Sequence, residues 1–294
     1  ASYVNIGSAS QFGLGVAEEA FPTAAVGILA REDFPEKILN VAHDGGYIAA
    51  TTDLKVFCDS RTAFYGPNFY KNLGGALLGQ RDPWIAVLSQ WNPSAVVMNG
   101  AWPDAGALAN RLTTTRMKNG DPAWKLVYFD GATIIVIRNL PEYATLINDP
   151  AIQKYGMTVL EKTRLSYIES NKGLFKSGNS PRLIGASSLY LSLNRPTKAE
   201  ALYRTLTENC PNMAQAWLGL GKSLILQKQL SLGIEQMEKA ASITPRSSRV
   251  WMGLYQAYRL QGNKQKVSEA ADQLNKFFQA DEATVEQKEI TDKK

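Results

Sequence analysis

The residues best equipped for chemistry lie in two short stretches of this 294-residue chain. The first is His43, Asp44, Gly45, Gly46 and Tyr47; the second is Asp59 and Arg61, with Tyr65 beyond. Two carboxylates beside a guanidinium and two phenols make a polar set able to hold a hydroxylated ligand or a cation, and adjacent glycines allow a tight backbone path. The same residues have plainer uses. Asp59 and Arg61 can pair to pin a loop, Asp44 can serve a turn, and Tyr47 can pack inward. Catalytic schemes run short of parts. His43 is the single histidine, and Asp44, its chain neighbour, is badly placed to orient its ring in a Ser-His-Asp triad. A Cys58 thiolate with His43 as base leaves an independent soluble enzyme as an alternative, although an apolar run such as the one around Cys58 keeps thiols inert. Two cysteines, no CxxC and one histidine supply no metal site. No cofactor is expected either, because the glycine pairs at 45–46 and 74–75 lack the spacing of a dinucleotide or phosphate loop.

A sheet is needed to position these groups. Short apolar or β-branched runs at Lys37–Ala42, Lys55–Asp59, Ala95–Met98, Trp124–Phe129 and Thr133–Ile137 predict about five strands, the last two joined by a two-residue Asp130-Gly131 turn. Helices are expected over Thr23–Ala30 behind Pro22, over Pro83–Trp91, and over Ala105–Met117 with Asp104 as cap and Lys118, Asn119 and Gly120 as stop. Strands alternating with helices give an α/β domain over 1–150, a mixed sheet with helices packed on it. If the first two strands are parallel neighbours, the loops after them open at their carboxyl ends, where such sheets place ligands. Trp84, Trp91, Trp102 and Trp124 read as packing residues. The first twenty residues show no period. Residues 151–179 read as a connector, a helix over Ala151–Ser170 followed by a hinge over Asn171–Ser180.

The last third of the chain repeats itself. Trp217 and Trp251 stand 34 residues apart, as do Pro211 and Pro245. Between them Leu220, Gly221, Leu224, Gly233, Met237 and Ala240 fill one copy. Leu254, Tyr255, Tyr258, Gly262, Val267 and Ala271 fill the next, with Tyr255 and Val267 where small residues are expected. An earlier copy, Leu183 to Pro211, lacks the Trp. Small residues let paired helices close up, and large apolar ones fill the grooves between pairs. Period and residues resemble the tetratricopeptide repeat. The resemblance implies three repeats over 180–281 stacked as an all-α superhelix, with a charged tail at 282–294 and a protein or peptide partner bound through the repeats; an ordinary helical bundle is the alternative.

Composition sets outer limits. With 45% hydrophobic and 20% charged residues the chain can bury real cores. Up to Pro150 there are 11 Lys and Arg against 14 Asp and Glu; beyond it, 21 against 13. A sheet domain of negative charge argues against nucleic acid. The longest uncharged stretch, Pro83 to Pro103, is broken by Gln90, Asn92 and Pro93, so no membrane span is expected within it.

One further resemblance spans about Phe12 to Gln279. Phe21-Pro22, Ile38-Leu39-Asn40, Asp44-Gly45-Gly46-Tyr47, Val56-Phe57-Cys58-Asp59-Ser60-Arg61 and Tyr65-Gly66, in that order, are similar to the soluble region that follows the membrane helices in bacterial glycosyltransferase-like proteins related to protein O-mannosyltransferases. A more distant similarity is to the catalytic subunit of oligosaccharyltransferases, whose WWDYG motif helps hold the acceptor peptide. Asp44 and Gly46 match its Asp and Gly, while Ala42, His43 and Gly45 replace its aromatic residues. The resemblance implies an extracytoplasmic, periplasmic region, non-catalytic alone, lying beside the membrane part of the same polypeptide. Its alternative is a pure interaction scaffold with a ligand-sensing α/β domain.

Overall fold

The structure, a computed structural model, describes residues 19–102, 105–172 and 180–291. The expected Asp104 cap, most of the expected hinge, the first eighteen residues and the end of the expected tail lie outside them. In chain order the elements are α1 (Val26–Leu29), β1 (Ile38–Asn40), α2 (Ala42–Thr51), α3 (Thr62–Leu77), α4 (Arg81–Gln90), β2 (Ala95–Asn99), α5 (Ala105–Thr114), β3 (Trp124–Phe129), β4 (Thr133–Arg138), α6 (Ala144–Ile147), α7 (Pro150–Ser170), α8 (Pro181–Ser192), α9 (Pro196–Asn209), α10 (Ala214–Leu226), α11 (Leu230–Ile243), α12 (Ser248–Gln261) and α13 (Lys264–Thr291). The chain forms two compact units, dividing between Leu202 and Tyr203 within α9.

The sheet of the first unit has the order β1-β2-β4-β3, with β1 parallel to β2 and the other pairs antiparallel. β2 and β4 are apolar runs because helices cover both faces. On one face Ile38, Val97, Ile135 and Ile137 pack with Leu29, Ile48, Leu146 and Ile152. α5 lies against β3 and β4 and also meets α8.

Among the described residues four strands are present, not five. Lys55–Asp59 makes only an isolated bridge to Lys37. The reason is Asn40: its Nδ2 donates to the Cys58 carbonyl at 2.7 Å and its Oδ1 accepts from the Phe57 amide at 2.8 Å. One amide side chain thus satisfies the backbone that a ladder would otherwise pair. The second correction concerns 42–51, which is the helix α2 and not a glycine-rich loop. Gly45 is required inside it because a Cβ there would overlap the Cys58 carbonyl oxygen. α3 was not expected, since Gly66-Pro67 and Gly74-Gly75 hide its period; Gly66 kinks it, with φ 71°. The β3–β4 turn has three residues, Asp130 to Ala132, because the Asp130 carboxylate accepts from the amides of both Ala132 (2.9 Å) and Thr133 (2.7 Å). α5 stops at Thr114, short of Met117, where Arg116 bridges to Pro122.

In the second unit α10 packs on α11, α11 on α12 and α12 on α13, with α10 also meeting α12. Leu218, Met237, Ala240, Leu254, Ala257 and Tyr258 form its core. α10 and α11 close up at their glycines: a Cβ on Gly221 would stand 2.6 Å from the Gly233 carbonyl oxygen and 2.6 Å from Met237 Cγ. The 34-residue spacing has a direct physical meaning. Trp217 Nε1 donates to the Pro211 carbonyl at 2.7 Å, and Trp251 Nε1 donates to the Pro245 carbonyl at 2.8 Å. The recurrence in the sequence is one hydrogen bond made twice, each tying the start of a helix pair to the end of the preceding helix. The helical repeat is therefore present in α10–α13, and α13 continues to Thr291 through most of the expected tail.

Candidate functional site

β1 and β2 are parallel neighbours, so the segments that leave their carboxyl ends, Val41–His43 and Asn99–Trp102, emerge side by side. With Tyr70, Leu73 and Leu77 of α3 they enclose a cavity of about 400 Å³. Its walls are mostly apolar, and a switch from strand to helix at such strand ends is a usual ligand position.

α2 distributes the predicted residues by its own periodicity. His43 and Tyr47, one turn apart, both stack on the Phe21 ring, at centroid distances of 4.7 and 5.2 Å. Asp44 and Gly45 turn inward, whereas Gly46 faces open space. Of this set His43 lines the cavity. Asp44 is 1% exposed, and its Oδ1 has no hydrogen-bond partner among the described residues. Burial pushes its carboxyl up to about 7, opposed in part by Asn99.

Asp59, Arg61 and Tyr65 form a second group at the start of α3. Arg61 Nη2 lies 2.6 Å from Asp59 Oδ2, and the Arg61 amide donates back to Asp59 Oδ1 at 3.0 Å. This pairing, with the Tyr65 hydroxyl beside it, holds the Asp59 carboxyl below the usual range. The Tyr65 ring stacks on Phe69 at 4.7 Å. None of the three lines the cavity; Tyr70 does, and its hydroxyl also donates to the Asp59 carbonyl at 3.5 Å. Cys58 is fully buried, and burial together with Asp59 pushes its thiol up to about 12, opposite to what a nucleophile needs. Among the described residues no three His, Cys, Asp or Glu side chains gather as a metal site.

The residues that sequence reasoning missed are Tyr70, Leu73, Leu77, Asn99 and Trp102. Asn99 carried a usable signal: like Asn40 it ends a parallel strand, and its amide donates to the Ala20 carbonyl at 3.1 Å. Of the four tryptophans read as packing residues, Trp84 and Trp124 do meet edge to face in the core at 6.0 Å. Trp102 instead lines the cavity and is 40% exposed.

The second unit offers a different surface. Along α10, α12 and α13 runs an open groove of about 550 Å³, with Met252, Leu274 and Phe277 as its apolar part and Lys222, Arg246 and Arg249 around them.

No protein-family model matches the chain, and no curated protein matches it. Among solved structures, a MamA variant described as the RS-1 ArsTM double mutant is similar at 17% identity and a TM-score of 0.37, over 44% of this chain and 67% of its own. A point mutant of MamA is similar at 14% identity and a TM-score of 0.33, over 74% of this chain and 96% of its own. Likeness at these scores sets neither fold nor function, which rest on the helices and side chains themselves.

Proposed function

We propose that this protein is a repeat-based interaction scaffold whose α10–α13 stack binds a protein or peptide partner. The observation that carries this reading is the Trp-to-Pro hydrogen bond repeated at 34 residues. It makes α10–α13 a stack of like pairs, and stacked pairs present extended grooves suited to polypeptide. The groove on α10, α12 and α13 is open and large enough for several side chains. The test replaces Met252, which is 41% exposed in that groove, by Glu, with Tyr155→Glu on the sheet unit as reference. After affinity purification from the native cell, mass spectrometry should find a polypeptide retained by the parent and the Tyr155 variant but lost from the Met252 variant. Equal retention by all three rejects the scaffold.

A finer reading takes the chain as the extracytoplasmic region of a bacterial membrane glycosyltransferase-like protein, its sheet unit lying against the membrane part of the same polypeptide. Its support is that several residues of the ordered motif set act on one another: Phe21 covers His43 and Tyr47, and Gly45 admits the Cys58 backbone. No helix among the described residues is long and apolar enough to cross a membrane. In this reading the roughly 400 Å³ cavity serves ligand sensing or acceptor binding. A topology reporter fused to the repeats tests it, and a cytoplasmic address discards it.

A further inference from the structure

The groove of the repeat unit carries more chemical information than its size. Lys222 comes from α10, Arg249 and Gln256 from α12, and Arg246 from the turn before α12. No carboxylate lines the groove among the described residues, and none of these three cations is in an ion pair there. Two other cations of the same unit are matched: Lys239 lies 3.0 Å from Glu235, and Lys266 lies 2.6 Å from Glu238. Protein surrounding the Lys222 ammonium, and then the Arg249 charge, hold its pKa below the ordinary lysine value even though the side chain reaches solvent. A concave wall explains both facts, because it removes part of the hydration without covering the group. Like charges gathered with no counter-charge among the described side chains are a standing cost that an anionic ligand relieves.

Resting on the scaffold reading above, we propose that this groove binds an acidic, extended segment of a partner polypeptide, its carboxylates meeting Lys222, Arg246 and Arg249 and its apolar side chains lying on Met252 and Phe277. The mixture of surfaces selects this occupant. Nucleic acid would call for a longer cationic track and stacking platforms, whereas three cations beside a thioether and a phenyl ring suit alternating acidic and apolar side chains. Guanidinium groups also hold carboxylates in two-point geometry, which gives direction as well as charge.

The experiment is fluorescence anisotropy on the full chain with a labelled ten-residue peptide of alternating Glu and Leu. The same peptide with Gln for Glu serves as comparison, and both are made with a free and with an amidated carboxyl terminus. The Glu peptide should bind at least 10-fold more tightly than the Gln peptide. Its affinity should fall with added salt and drop at least 10-fold in Lys222→Met and in Arg249→Gln, with Lys239→Gln unchanged. A large loss on amidation assigns the contact to the terminal carboxylate, and no loss assigns it to side chains; both keep the carboxylate class. Equal binding of Glu and Gln peptides, unchanged affinity in both cation variants, or displacement of the Glu peptide by a short single-stranded oligonucleotide at equal concentration overturns the proposal. Melting curves of the surface variants that match the parent exclude misfolding as the cause. A partner lost through Met252→Glu but indifferent to acidic peptide would leave the scaffold standing and remove only its acidic ligand.

Discussion

The two units solve the same problem, satisfying backbone while burying apolar surface, by opposite routes. In the sheet unit a single polar side chain, Asn40, replaces a strand ladder, and Gly45 clears the space for the segment it holds. In the repeat unit no one residue has that role. Small positions such as Gly221 and Gly233 let helices approach, and the Trp–Pro hydrogen bond recurs at each joint. The difference teaches where damage spreads. A joint built on one side chain fails at that side chain, while a repeated joint loses one increment at a time.

The sharpest way to break the comparison is at the adjacent glycines of α2. Gly45→Ala should cost more than about 4 kcal/mol or abolish folding of the sheet unit, because the new methyl meets a fixed carbonyl. Gly46→Ala, with open space around it, should stabilise by about 0.5–1 kcal/mol. Urea unfolding of both variants checks this, and equal effects would remove the special role of the joint. Next in size is Asn40→Leu, which strands the Phe57 amide and the Cys58 carbonyl and should cost about 3 kcal/mol.

Those two positions also show what was legible in the sequence. The period of 34 was readable because each repeat buries the same kinds of residue at the same places, so packing is written as spacing. The role of Asn40 was not, because a side chain standing in for a ladder leaves no periodic trace. That is why Lys55–Asp59 read as a strand and 42–51 as a loop. Asp59 with Arg61 was readable as an ion pair from their spacing alone. The cavity was not, since its walls come from α3, whose period Gly66 and Pro67 interrupt, and from the end of β2.

Asp44 sharpens the contrast through pH. Its folded carboxyl sits near 7, above the unfolded value, so the folded state binds more protons across the interval from about 4 to about 7. The Asp44 contribution to stability is therefore full below the unfolded value and is lost as pH rises to about 7. The slope from this group is at most about 1.4 kcal/mol per pH unit. Melting temperatures of the parent and of Asp44→Asn between pH 4 and pH 8 should diverge in that direction, and parallel curves would show that the buried carboxyl does not titrate there. The smallest expected effects test the repeat itself. Trp217→Phe and Trp251→Phe each remove one hydrogen bond and should cost about 1 kcal/mol apiece, alike within error. Clearly unequal costs in chemical denaturation would show that the two joints are not the same device.

The claim on which the functional reading turns is that polypeptide binds in the repeat groove and not in the cavity at the sheet. Photo-crosslinking amino acids placed singly at Met252 and at Trp102, in the full chain in its native cell, decide it most directly. Polypeptide adducts from position 252, with none from position 102, are the predicted result; adducts from position 102 alone would contradict the account.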